Sequence, residues 1–230
     1  MPEHRRISLA FGVLFIVTFV TSIPALGLFQ PVLDDPAGYI AGDGDDNQIY
    51  LGVLLELLLI IANIGTAVVV FPILRRQNEI LSLGYVTARI VESVFIAAGV
   101  LFVLGIVSLR QDDPDNASLA VSLAAMKDWT FLLGPGFIVG FGNGLILGYL
   151  MYRSGLVPRG MAMLGLIGGP LIVLSGIGVL FDAWDAGGTV QAIATIPEFL
   201  WELSLGIYCA VKGFKPDAPI FASRTPELRS

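Results

Sequence analysis

Histidine and cysteine are almost missing from this sequence, whose 230 residues hold one of each, His4 and Cys209. A single cysteine permits no internal disulfide and says little about redox compartment. With His4 as the only imidazole, a zinc hydrolase with intramembrane histidines, a histidine-ligated haem and a Ser-His-Asp triad each lack their central residue. Charge is scarce too: 14% of positions are charged and 55% hydrophobic, with a mean hydropathy of +0.81. No soluble globular domain needs that balance, which places the chain in a lipid bilayer. No lysine falls in the interior of the apolar runs delimited below, which excludes a retinal Schiff base.

Long apolar runs are what the chain has in quantity. A span needs about 20 apolar residues, and six runs qualify, at about 7 to 28, 50 to 73, 81 to 107, 130 to 152, 161 to 181 and 191 to 212. Lipid offers no partner to an unpaired backbone group, so each run is expected to be helical. The expected fold is all-α, one domain of six transmembrane helices over 1–214 followed by a short polar cytoplasmic tail over 215–230. Arg5-Arg6 before an apolar run is a signal-peptide pattern, but the run exceeds a signal core of about 7 to 15 residues and reads as the first span. Three spans precede the Gln111 to Asp128 loop and three follow it, so an inverted repeat is geometrically allowed.

The connections alternate in sign. Arg5, Arg6, Arg75, Arg76, Arg153, Arg159, Lys212 and Lys215 flank one end of the bundle, which the positive-inside rule makes cytoplasmic together with both termini. The other connections are acidic: Asp34, Asp35, Asp43, Asp45 and Asp46, then Asp112, Asp113 and Asp115, then Asp182 and Asp185. The net charge of -6 therefore reflects an acidic outer face over a basic inner one, and nucleic acid is not indicated as a partner. Gly42-Asp43-Gly44-Asp45 has the letters of an intramembrane aspartyl protease motif, but it sits in an outer loop without a second aspartate in a span. Asp43, Asp45 and Asp46 lack the twelve-residue loop and closing glutamate of an EF-hand, so a solvated acidic loop is expected and no metal site. Asn116-Ala117-Ser118 fits a glycosylation sequon on the outer side.

Inside the third run stands Arg89-Ile90-Val91-Glu92, a charge of each sign at bilayer depth, where insertion of each costs at least about 2.5 kcal/mol. Counting about 1.5 Å per residue puts Arg89, Glu92, Asn63, Asn143 and Glu202 at similar levels, with Glu56 and Glu198 one to two turns nearer the outside. All are able to face one interior. Arg89 and Glu92 have the spacing of a local pair, and Glu198 and Glu202 share a helix face. One arginine cannot neutralise four carboxylates, which leaves at least one glutamate protonated, bound to a ligand cation or open to water. The candidate ligand-binding residues are Glu56, Asn63, Tyr85, Arg89, Glu92, Asn143 and Glu202, with Trp201 and Phe199 as further lining.

The fourth run carries Gly136, Gly140, Gly144 and Gly148 at strict four-residue spacing. Such a face lets another helix backbone approach closely, whether inside the bundle or across a seam with a second copy or another membrane protein. Gly165, Gly168, Gly169, Gly176 and Gly178 make the fifth run its natural neighbour.

Five stretches, LELLLIIANIGTAVVVFPILRR (55–76), GYVTARIVES (84–93), KDWTFLLG (127–134), YRSGLVPRGMAMLG (152–165) and PEFLWELSLGIYCAVKGF (197–214), together with the six-run layout, give the chain a family likeness. It resembles the prokaryotic integral membrane proteins catalogued as domain of unknown function 4386. The likeness implies a shared topology and marks Glu56, Tyr85, Arg89, Glu92, Asp128, Trp129, Arg153, Pro158, Arg159 and Glu202 as family-like, with Glu198 an addition in this sequence. It implies no reaction. The reading from the residues is a multi-pass cell-membrane protein that binds or passes a small ligand, lipid or proton at its Glu/Arg cluster, without a cofactor. The alternatives are a structural or accessory subunit whose buried charges only hold the bundle, and an enzyme using Glu92 with Glu202 as acid and base.

Overall fold

The computed structural model describes residues 1–222, apart from the side chains of Asp43 and Ala222, and among these residues it contains helices and no strand. In chain order the α-helices are α1 (Glu3–Asp34), α2 (Pro36–Gly38), α3 (Asp46–Leu74), α4 (Glu79–Asp112), α5 (Ala117–Leu133), α6 (Gly148–Ser154), α7 (Arg159–Leu180), α8 (Thr189–Val211) and α9 (Pro219–Ala222). Three wider π-helical segments, Tyr39–Asp43, Gly134–Ile138 and Gly140–Leu147, complete the set.

Five helical stretches are long and apolar enough to cross a membrane: α1, α3, α4, the interrupted helix Ala117–Ser154, and α7. The run at 191 to 212 forms α8, which carries Glu198 and Glu202 in its middle and is not among those five. With 34 residues, α4 reaches roughly 50 Å at about 1.5 Å per residue, well beyond a hydrocarbon layer of about 30 Å. Side-chain caps start the helices where Asn78 accepts from the Leu81 amide and Asn116 from the Leu119 amide. Gly155, in the left-handed region at φ 68°, ends α6.

Helix boundaries correct one expectation. The Gln111 to Asp128 stretch is not loop throughout: from Ala117 onward it is the first half of the fourth of these five helices, so Lys127 lies within a helix apolar enough to cross a membrane. Ala117 to Met126 holds no charge, and Lys127 has an ion-pair partner that lets the helix carry it inward. Contrary to the expectation from the apolar runs, a lysine does stand within a helix apolar enough to span. Likewise the Gln30 to Gln48 connection is largely helical, being the end of α1, α2 and the π-helical turn to Asp43, where Gly42 takes φ 126°.

The helices close into a ring. α1 packs on α3 and α8, α3 on α4, α4 on α5 and both later π segments, those segments and α6 on α7, and α7 on α8. Gly140, Gly144 and Gly148 are buried against α7: a methyl group on Gly140 would come within 2.7 Å of the Gly169 carbonyl, and one on Gly148 within 3.2 Å of the Leu166 amide. Gly136 points elsewhere, toward Phe131 and Leu132 of its own helix. The Phe214 ring, Ala218 and Ile220 join the core near α6, and the Lys215 amide donates to the Leu156 carbonyl at 2.9 Å. Residues 223–230 of the expected tail lie outside the described residues.

Two apolar cores form, one at each end of the ring. Phe29, Val32, Tyr39, Ile49, Val103 and Ile106 belong to the first, and Phe11, Phe15, Leu74, Leu150, Trp201 and Leu205 to the second. Between them lies a belt of buried polar side chains.

Candidate functional site

The belt is built from residues whose position along each helix is fixed by the two cores. On α4, Arg89 and Glu92 stand one turn apart between buried Tyr85 and buried Ile96. Arg89 Nη1 donates to Glu92 Oε2 at 2.7 Å, and Arg89 Nη2 to Asn63 Oδ1 of α3 at 2.5 Å. Asn63 Nδ2 in turn donates to Glu92 Oε1 at 3.0 Å, closing a three-residue ring that joins α3 to α4. The guanidinium also lies 5.7 Å from the centre of the Phe15 ring of α1.

A second pair sits nearer the first core. Lys127 Nζ of α5 reaches Glu56 Oε1 of α3 at 2.7 Å and Oε2 at 3.0 Å, with both side chains buried, and the ammonium lies 5.2 Å from the Phe29 ring centre. On the opposite wall, α8 presents Glu198 and Glu202. Asn143 Nδ2 donates to Glu202 Oε1, and Trp201 Nε1 donates to the Asn143 carbonyl at 3.0 Å. Glu198 is 2% exposed, and neither carboxylate oxygen has a hydrogen-bond partner. Its Oε2 lies where a side chain on Gly144 or Gly168 would collide at 2.8 Å, so the two glycines make its room.

These groups share one cavity of about 310 Å³, lined by Glu56, Asn63, Arg89, Glu92, Lys127, Glu198 and Glu202, with Thr18, Phe19 and Phe199 among the rest. Of the sequence candidates, Glu56, Asn63, Arg89, Glu92 and Glu202 meet there. Tyr85 and Asn143 do not line it. Tyr85 is packed in the second core, its hydroxyl 3.4 Å from Thr66 Oγ1, and Asn143 stands behind Glu202. Trp201 likewise lies behind the wall, while Phe199 is at the mouth.

Two charged lining residues, Lys127 and Glu198, are not among the sequence candidates. Lys127 was lost with the misplaced helix start, and the ion pair it forms means that Arg89 is not the sole cation. Glu198 was set aside as an addition although its four-residue spacing to Glu202 already put the two on one face. Four carboxylates against two cations still leave an excess of two negative charges in formal count.

At the bundle end beyond the first core, Asp46 accepts from Arg110 Nη1 at 2.7 Å, from the Tyr39 hydroxyl at 2.6 Å and from Gln111 Nε2 at 3.1 Å. Asp45 caps α3 by accepting from the Asn47 amide. These aspartates are engaged with protein groups, and among the described residues no cluster of three or more His, Cys, Asp or Glu is arranged to hold a metal ion. His4 stacks near Phe221, 5.4 Å between ring centres, apart from the cavity.

No curated protein and no solved structure matches the chain. A family described as domain of unknown function (DUF4386) matches residues 10–213, which takes in every residue of the polar belt. The chain therefore belongs to this family of proteins of unknown function.

Proposed function

We propose that this protein is a six-span cell-membrane protein, both termini cytoplasmic, which binds or passes a small cationic ligand at the interior carboxylate cavity. The observation that carries the reading is Glu198, a buried carboxylate with both oxygens unpartnered on the wall of a cavity that already has a surplus of carboxylates. An isolated charge is too costly to bury, so the Glu198 carboxyl rests either as the neutral acid or with a cation against it, and the cavity gives such a cation access.

A sixth crossing by α8 is supported by its length, its place in the ring and the direction of its two glutamates, which line the cavity instead of facing lipid. Arg5 donates to the carbonyls of Cys209, Ala210 and Val211, so the basic start of α1 and the end of α8 lie at one end of the bundle. That end is cytoplasmic by the positive-inside rule.

A purely structural subunit is the second reading, favoured by the satisfied pairs Arg89–Glu92 and Lys127–Glu56. It leaves Glu198 without a purpose. Thermal unfolding of the purified chain in detergent tests the first reading with methylammonium and tetramethylammonium as probes. A ligand that binds only the folded state raises the melting temperature, its stabilisation growing as RT ln(1 + L/Kd) at free ligand concentration L. Stabilisation of the natural chain, absent from the Glu198→Gln, Glu202→Gln double variant and from a sodium control, is expected. No stabilisation by either cation, or equal stabilisation of the variant, overturns it.

A further inference from the structure

The cavity is open on one side. α5 packs on the outside of the ring, on α4, α2 and the Gly134–Ile138 segment, touches α1 only lightly and does not pack on α8, which leaves an opening between α5 and the α1–α8 pair. The residues at this gap are apolar and outward: Ile23 is 53% exposed, Leu26 41%, Phe131 43% and Phe199 42%, and all four also line the charged cavity. Phe19 and Phe199 meet edge to face at 5.3 Å and form one jamb. A second hollow of about 410 Å³ adjoins the first, sharing Phe131, Pro135, Ile172, Thr195 and Phe199, and extends to Gly187 and Gln191 at the α7–α8 connection. Its walls carry the polar side chains of Thr195 and Gln191 beside apolar Ile196 and Ala192.

We propose that the ligand is a membrane-borne cationic amphiphile, a long-chain ammonium whose head rests against Glu198 and Glu202 while its hydrocarbon tail passes out between Phe131 and Phe199 into the bilayer. This rests on the binding reading above and names the ligand's class. The sign follows from which charges are already used. Arg89 is held by Glu92 and Asn63, and Lys127 by Glu56, so an anionic head would have to break an ion pair, whereas Glu198 offers two unpartnered oxygens. The tail follows from setting. At about 310 Å³ the cavity is at the low end of small-molecule sites, about 300 to 1,000 Å³, and it is open through the gap. The way out is lined by phenylalanine, isoleucine and leucine at membrane depth, where lipid tails replace water. The adjoining hollow extends this way out toward Gln191 at the bundle end, with mainly apolar walls.

The test uses the full chain in phosphatidylcholine nanodiscs and tetradecylamine carrying a mid-chain diazirine, with cross-linked peptides mapped by mass spectrometry. Labelling is expected on peptides containing Phe131 or Phe199, competed by excess unlabelled tetradecylamine, and lowered about tenfold or more in the Glu198→Gln, Glu202→Gln variant, since hydrogen bonds to charged groups contribute about 1.5–3 kcal/mol each. Thr195→Trp, which leaves every carboxylate in place and fills the slot, is expected to lower labelling as well. Equal labelling by the diazirine form of tetradecanol, or labelling unchanged in both variants, marks ordinary lipid contact and overturns the proposal. Labelling confined to peptides away from the gap overturns it too. If methylammonium still stabilises the chain while the amine fails to label the gap, the lateral exit alone is wrong. If both signals are absent, the binding reading falls with it.

Discussion

Lys127 of α5 and Glu56 of α3 form an ion pair at 2.7 Å with both side chains buried. Removing one partner leaves the other as an uncompensated buried charge, which costs about 3–5 kcal/mol, whereas replacing both with apolar groups is often neutral. Lys127→Met is therefore expected to lower the melting temperature in detergent strongly, and Lys127→Met with Glu56→Leu to restore most of it. A double variant no more stable than the worse single would show that the two residues are not partners.

Asn63 is the hinge of the other network, accepting from Arg89 through its oxygen and donating to Glu92 through its nitrogen. Asn63→Leu keeps the volume and strands two buried groups, each worth about 1–3 kcal/mol when left unsatisfied. Asn63→Asp supplies acceptors only, so it is expected to keep the Arg89 contact and lose the Glu92 one, with an intermediate loss. Chemical unfolding of the three proteins in mixed micelles checks the order, and a Leu variant as stable as the natural chain would remove Asn63 from the network.

How legible these arrangements are in the sequence differs by residue. Counting depth along each apolar run brings Asn63, Arg89, Glu92 and Glu202 to one level, because helix rise is constant and the two apolar cores fix each helix in register. Lys127 escapes that count because a charge looks like the end of a span when its partner, Glu56, lies 71 residues away. The missing partner of Glu198 depends on how α8 is rotated against α7 and the π segment, and no one-dimensional pattern carries that angle. The glycine spacing announces close packing, while the identity of the neighbour, α7, comes only from the folded chain.

The four-residue glycine series is expected to divide. At Gly140 an added methyl group meets Ile172 at 2.5 Å and the Gly169 carbonyl at 2.7 Å, while at Gly136 the nearest atom is 3.4 Å away. Overpacking of this kind costs about 1–3 kcal/mol. Gly140→Ala is expected to destabilise the chain and Gly136→Ala to be tolerated, read by thermal melting of each variant. Equal melting of both would mean that the fourth helix does not pack on α7 through this face.

At the acidic end, Tyr39 is buried with its hydroxyl on Asp46, and burial first, then the Asp46 carboxylate, raise its phenol above the ordinary value. A group whose pKa is raised by folding contributes stability that is complete below its unfolded value, about 10 for tyrosine, and is lost as pH climbs from there toward the folded value. The melting temperature of the natural chain is thus expected to fall more steeply above about pH 10 than that of Tyr39→Phe. Parallel curves would place the phenol outside the alkaline transition.

The sharpest contrast between a binding protein and a structural subunit lies in Glu198 without any ligand. If its carboxylate only held the bundle, Glu198→Gln would weaken the chain, because a stabilising charge would be gone. A carboxyl with both oxygens unpaired contributes no contact to the frame, and any charge it carries adds to the surplus, so replacing it does not weaken the empty site. Glu198→Gln is therefore expected to keep or raise the melting temperature of the ligand-free protein while abolishing stabilisation by methylammonium, the opposition of stability and function that binding sites commonly show. Lys127→Met, which breaks a satisfied pair, is expected to lower the melting temperature under the same conditions. Should both variants lose stability alike, Glu198 would be part of the frame, and the binding reading would lose the observation on which it rests.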